Sequence, residues 1–328
     1  MNKIIAPENK VASLKSTDIC YLIFMLTMTV ETLNEKFGID DTANFYSGNN
    51  GLTTIAVTNK YATANIALHG AHLLNYIPNE QKDIIWLSEQ SLFENGKAIR
   101  GGIPICFPWF GPHTADKTKP QHGFARLQEW QVNDIKSNED GSTLVSLSLK
   151  ETAAALELWP YKFNATINFI IGKTLEVKLA ITNTGNELFE YSDALHTYFN
   201  ISDISAISIE GLHKATYYDG FEMDLKTQEA ANLQFNRETN RRYVNHTGQC
   251  VINDAGYNRK INVTKTGSKV TVVWNPGEAI TKTIADIAPD GYKTFVCAEP
   301  ANAYPGIDMI ELAPGESHTL STVISVAE

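Results

Sequence analysis

At 328 residues the chain is long enough for one large or two ordinary domains, and its 43% hydrophobic and 20% charged content excludes a disordered chain. Acidic residues outnumber basic ones 37 to 27, a net charge of −10. That argues against nucleic acid or an anionic membrane surface as the main partner, while leaving room for a local basic pocket.

In chain order the first feature is the apolar run Ile19–Val30. It is well short of the ~20 residues that a membrane helix needs. Lys3, Lys10 and Lys15 precede it, as in a signal peptide, but Glu8 and Asp18 interrupt the basic region and no small-residue cleavage site follows. The expectation is a poorly ordered extension over residues 1–30, with Met25 or Met28 as alternative starts, ahead of a single domain over residues 31–328. Cysteines at 20, 106, 250 and 297 form no CxxC pair, which points to a reducing cytoplasm. The sequons at Asn164, Asn200, Asn245 and Asn262 matter only in a secreted chain.

Period-two alternation then dominates. Ala62, Ala64, Ile66 and Leu68 form one stripe, and Val145, Leu147 and Leu149 another after Asp140-Gly141. Phe163–Ile171 and Leu175–Ile181 predict two antiparallel strands around a two-residue type II′ turn at Gly172-Lys173, with Asn183-Thr184-Gly185 as the next turn. Ile261 and Val263, Gly267, then Val270, Val272 and Trp274 predict a further hairpin. Helical pattern is confined to Ser88–Phe93 and Glu151–Leu158. The fold class expected is therefore all-β, a large antiparallel β-sandwich whose strands each turn one polar face to water.

Five segments break this pattern, where functional sites tend to lie. Ile99–Gly111 (IRGGIPICFPWFG) sets Arg100 among three glycines, two prolines and three aromatics. Trp109 and Phe110 offer a platform for a sugar ring, although a Pro-kinked edge segment reads equally well. Pro120–Arg126 (PQHGFAR) gathers Gln121, His122 and Arg126 behind Lys117 and Lys119, either an anion pocket completed by Arg100 or a polar loop. In Tyr191–Phe199 a lone His196 lies among apolar residues, as core histidines often do. In Phe295–Pro300 a carboxylate, Glu299, follows Val-Cys-Ala, placing it either in a salt bridge or in a buried acid–base role. Asp219, after two tyrosines and before Gly220, is a plain turn residue or a ligand contact. The sequence has no HExxH or CxxC metal motif, no GxGxxG or GxxxxGK[ST] loop and no GxSxG elbow.

Taken in order, these segments resemble the aldose 1-epimerase family, and within it the hexose-6-phosphate mutarotase branch (glucose-6-phosphate 1-epimerase). The carriers are Gly70-Ala71-His72 with Ile84–Ser88, the RGGIP and FPWFG stretch from Arg100, PQHGFAR, LHTYF from Leu195, the YYDG around Asp219, VVWNP from Val272 and CAEPA from Cys297. The similarity runs over residues 37–326. It implies a β-supersandwich and interconversion of the α and β anomers of a hexose 6-phosphate without metal or other cofactor. It implies His196 as general acid and Glu299 as general base. Arg100, Gln121, His122, Arg126, Asp219 and Trp109 are implied as substrate-binding residues, with the two arginines on phosphate. A cytoplasmic monomer is expected, with no nucleic-acid or membrane partner. The sequence departs from its relatives at Asn302, where they often carry histidine, and over residues 1–30.

The chemistry suits those residues. Mutarotation takes a proton from the anomeric hydroxyl and gives one to the ring oxygen, so one acid and one base suffice. Two other readings keep the same residues. A non-catalytic sugar-phosphate-binding module needs the arginines and Trp109 but not His196 with Glu299. A glycoside-processing enzyme needs two carboxylates, for which Asp219 and Glu299 are the candidates.

Overall fold

The alternating run Phe163–Ile171 is a nine-residue strand paired antiparallel with Leu175–Asn183. Its odd positions are buried and its even ones half-buried, as the sequence pattern requires. Ile171 pairs with Leu175, so the turn has three residues rather than the expected two. Gly172 is not among the positive-φ residues, which rules out type II′; its N–H donates instead to the Thr174 carbonyl at 3.0 Å. This hairpin lies inside an eight-stranded sheet. Thr143–Lys150 and Gln131–Ser137 lie on one side of it. On the other lie Ser317–Ala327, then Arg259–Thr266, Cys250–Asp254 and Ile207–Glu210. The Ser317–Ala327 strand is thus interior, between one strand far upstream in sequence and one only a short interval before it.

The structure, a computed structural model, describes residues 28–220, 222, 224–303 and 308–327. Most of the expected extension, with Cys20, and the segment Tyr304–Pro305 lie outside the described residues. At the border, Val30–Phe37 is a helix capped by Thr29, whose hydroxyl accepts from the Thr32 N–H, and it buries Leu33 in the core.

A second eight-stranded sheet carries Lys226–Thr227, Thr216–Asp219, Thr239–Val244, Val270–Asn275 and Phe295–Asn302 in that order. Asp193–Leu195 and Tyr198–Asn200 both pair with Phe295–Asn302, and Ile105–Cys106 closes the edge. Ala43–Ser47, Thr53–Thr58, Ala62–Ala67 and His72–Pro78 form a four-stranded sheet against the first. One contiguous apolar cluster joins the layers, with Phe169, Leu179, Leu320, Val273 and Val296 all fully buried within it. Each such side chain contributes about 1.5–3 kcal/mol over its exposed form.

Two expectations are corrected. Arg259–Thr266 and Val270–Asn275 do not form a hairpin; they belong to different sheets. Gly267, at φ +74 and so close to the Thr319 carbonyl that a Cβ would lie 1.9 Å from its oxygen, turns the chain from one sheet to the other. Alternation alone cannot distinguish a hairpin from such a crossing. Ser88–Phe93 is a turn, not a helix, because the Ser88 hydroxyl donates to the Asp286 carbonyl at 2.6 Å and ties the segment to a distant loop. The helix expected near 151–158 is present as Ala153–Leu158, capped by Thr152.

Gly101 and Gly102 adopt φ +97 and +67, and what they approach is the protein's own chain. A Cβ on Gly102 would lie 2.2 Å from His72 Nε2 and 2.4 Å from the Leu73 carbonyl oxygen. The Gly102 carbonyl accepts from the Tyr198 N–H at 3.0 Å. Gly102→Ala should therefore destabilise the fold by about 1–3 kcal/mol, read as a lowered denaturant midpoint at unchanged m-value. A midpoint equal to that of the native chain would show that the backbone relaxes freely there.

Candidate active site

Opposed strands bring His196 and Glu299 together. Ala194 pairs with Ala301, and Tyr198 with Cys297. The same register carried across the interval between the two short strands sets His196 against Glu299. The ladder is interrupted there: the His196 N–H donates to the Pro104 carbonyl at 3.0 Å, on the other edge. Strand alternation then puts Cys297 and Glu299 on the cavity side of Phe295–Asn302. His196 Nδ1 lies 3.3 Å from Glu299 Oε2. Both groups are buried, Glu299 at 1% exposure, and neither carboxylate oxygen has a hydrogen-bond partner in the described structure.

Electrostatics follow from that burial. It pushes the Glu299 carboxyl well above its ordinary range. It also lowers His196 to about 3, with Arg126 and Arg100 adding positive charge that acts in the same direction. Burial thus drives both groups towards their neutral forms, whereas a general acid at His196 needs a protonated imidazole.

A cavity of about 600 Å³ opens over the pair and is lined by Arg100, Trp109, Gln121, His122 and Arg126 as well. Arg100 is fixed from two sides: its Nε donates to Asp286 Oδ1 at 3.0 Å and an Nη to the Tyr198 hydroxyl at 3.0 Å. Tyr198 and Asp286 together hold it firmly protonated. Arg126 donates to the Gln121 carbonyl at 2.8 Å, and its buried Nε has no partner in the described structure. The guanidiniums of Arg100 and Arg126, with donors left over and Arg242 also on the lining, make an anion site. His122, at φ +62, accepts from the Gly111 N–H through Nδ1 at 3.1 Å and sets its ring 5.5 Å from that of His196. Burial, then Arg126, keep it neutral. Trp109 is anchored by its indole N–H on the Pro120 carbonyl at 2.8 Å.

Asp219 is not brought in. It lies outside the cavity lining and faces Arg237 at 3.3 Å and Lys226 at 3.8 Å. Asp219 and Glu299 are consequently not assembled as a two-carboxylate site. Asn302 likewise serves the fold: buried opposite Asp193, it donates to that carboxyl at 2.9 Å. The cavity also uses Tyr198, Trp274, Asn240 and Arg242, which sequence reasoning did not select. Tyr198 and Trp274 stood inside motifs already noticed, LHTYF and VVWNP. Asp286, which holds Arg100, carried no signal. Among the described residues one group has the spacing to hold a metal ion: His196, Cys297 and Glu299, with ligand atoms all within 4.8 Å of one another. The positive charge of Arg100 and Arg126 opposes a cation at that place.

Comparison with known proteins follows the same lines. A family model described as aldose 1-epimerase matches residues 53–325. A protein of Escherichia coli K12, provisionally named glucose-6-phosphate 1-epimerase, is 39% identical over 77% of this chain and 84% of its own length. A protein of Cenchrus ciliaris with the same provisional name is 32% identical over 77% and 78%. The crystal structure of a provisionally assigned mutarotase from Salmonella typhimurium superimposes with a TM-score of 0.82 at 32% identity, covering 94% of this chain and 99% of that one. A galactose mutarotase-like protein from Lactobacillus casei shares the fold, with a TM-score of 0.66 at 18% identity over 84% of this chain and all of that one.

Proposed function

The chain belongs to the aldose 1-epimerase family of isomerases, and from that premise we propose that it interconverts the α and β anomers of a hexose 6-phosphate, glucose 6-phosphate among them. The observation that carries the substrate class is the pairing of a buried acid–base couple with Arg100 and Arg126 in one cavity. The arginines take the phosphate, Trp109 and Gln121 the ring, and His196 and Glu299 work at C1 and the ring oxygen.

The couple shares one proton between two groups. In the charged arrangement, Glu299 removes the anomeric hydroxyl proton while His196 gives its proton to the ring oxygen, and the C1–O5 bond opens to the aldehyde. Glu299 is then protonated and His196 neutral, the form that burial favours. After rotation about C1–C2, His196 takes the proton back from the O5 hydroxyl, which attacks the other face of C1. Glu299 returns its proton to the carbonyl oxygen. A phosphate dianion on Arg126 and Arg100 cancels the two charges that, after burial, keep His196 low, and so favours the imidazolium when substrate is bound.

Among the described residues the cysteines Cys106, Cys250 and Cys297 are free and buried, which accords with a reducing compartment. We place the protein in the cytoplasm as a monomer. The test is anomer exchange by NMR on α-glucose 6-phosphate, α-glucose and α-galactose, with His196→Ala as control. Fast exchange confined to the phosphosugar and lost in the variant is the expected result. Fast exchange of free sugars would remove the phosphate assignment, and binding of the phosphosugar without any acceleration would leave a sensor module.

A further inference from the structure

We propose that Tyr198 is a positioning residue that ties the anion-binding Arg100 to the ring of His196; the substrate half of this rests on the phosphosugar reading above. Tyr198 is 2% exposed and sits two residues beyond His196 on the same face of the chain. Its ring lies flat on the imidazole, with centroids 4.9 Å apart and planes 11° from parallel. Trp86 stacks on Tyr198 at 5.8 Å and 22°, and Trp274 meets it edge-on at 6.0 Å. Its backbone is fixed at both polar atoms: the N–H donates to Gly102 at 3.0 Å, and the carbonyl accepts from Trp86 at 2.9 Å. The imidazole is thereby held in one plane by a ring that is itself packed between Trp86 and Trp274.

A phenylalanine would supply that stack. The hydroxyl does something else: it accepts from Arg100 at 3.0 Å, with Asp286 taking the guanidinium Nε at the other side. Of the five guanidinium N–H groups these contacts use two, leaving three to meet an anion. One side chain thus sets both the orientation of the phosphate fork and the plane of the acid–base imidazole. Because both depend on a single rigid ring, the distance between anchored phosphate and reacting C1 is fixed by the protein rather than by the substrate.

Two variants separate the contributions. Tyr198→Phe keeps the stack and removes the hydroxyl acceptor of Arg100. The expected result is a KM for glucose 6-phosphate raised about tenfold, the size of a lost hydrogen bond to a charged group, with a much smaller fall in kcat. The ratio of kcat/KM for glucose 6-phosphate to that for glucose should fall by the same factor. Tyr198→Leu removes the stack as well, and should lower kcat on both sugars and move the pH profile of kcat. Equal losses on both sugars in the Phe variant, or a KM unchanged from the native enzyme, would overturn the Arg100 link. A Leu variant with native kcat and pH profile would overturn the imidazole link. Should the Leu variant fail to fold, as read from its melting curve, affinity for glucose 6-phosphate in the Phe variant by calorimetry still decides the link to Arg100, and Tyr198→Met, which also lacks the ring, replaces the Leu test with the same two outcomes. A native enzyme with no preference for the phosphosugar would instead remove the phosphate reading, and the imidazole link would be judged on glucose alone.

Discussion

Glu299→Gln should lower kcat for anomer exchange by about 10²–10⁴-fold, the usual worth of one acid–base partner, while making the protein more stable at neutral pH. The two effects have one cause. Glu299 is fully buried with neither oxygen partnered, so its carboxyl is pushed well above the ordinary 4.5 by burial. A carboxyl whose folded pKa exceeds its unfolded one contributes its full stability below about pH 4.5, and that contribution is lost as pH rises towards the folded pKa. Between those limits the folded state binds more protons than the unfolded state, so stability falls with pH. Glutamine has no such proton to lose. The melting temperature of the Gln variant should therefore match the native one near pH 4 and exceed it by a margin that widens through neutrality. A native exchange rate would remove Glu299 from the mechanism; parallel melting temperatures at every pH would show that the carboxyl is solvated. His196→Ala combined with Glu299→Gln should be no slower than either change alone, because the two groups act as a unit.

The second large effect is expected at Arg126. Its side chain lines the cavity beside the couple, with a buried Nε that has no partner in the described structure. Hydrogen bonds to a charged group contribute about 1.5–3 kcal/mol each, so Arg126→Ala should reduce kcat/KM for glucose 6-phosphate by about 10²-fold. Free glucose should lose far less, since it offers no anion. Removing Arg126 also removes the charge that comes second, after burial, in keeping His196 neutral. The pH profile on free sugar should consequently move upward. Equal losses on both sugars would make Arg126 a structural residue instead.

How much of this was legible in the sequence depended on which physical signal each residue carried. The Phe163–Asn183 hairpin was readable because one face of each strand meets a polar environment, and alternation records that directly. The crossing at Gly267 was not readable: strands that pair with each other and strands that part into separate sheets alternate in the same way. His196 and Glu299 each had an ordinary reading as core histidine and strand-end carboxylate. What distinguishes them is a register between segments a hundred residues apart, which no local pattern carries. Arg100 and Arg126 were picked out by their unusual neighbours, and the fold brings both to the cavity. Asp219 was picked out on the same ground, yet its turn aims it at Arg237 and Lys226. Gly101 and Gly102 lie in a segment picked out as irregular, and their close neighbours are the backbone of Trp86 and the ring of His72. Asp286 was invisible because a surface-loop aspartate looks the same whether or not it braces an arginine.

The interior place of Ser317–Ala327 bears on how the molecule is made. During synthesis, Leu175–Asn183 emerges long before its partner on that side, and Arg259–Thr266 also waits for the same strand. Until residues 317–327 leave the ribosome, the two halves of that sheet have no shared ladder and each keeps an open edge. The acid–base couple lies in the other sheet, but Leu320 and Ile324 of this strand fill the core that both sheets share, so the site gains its full support only once residues 317–327 have joined the ladder.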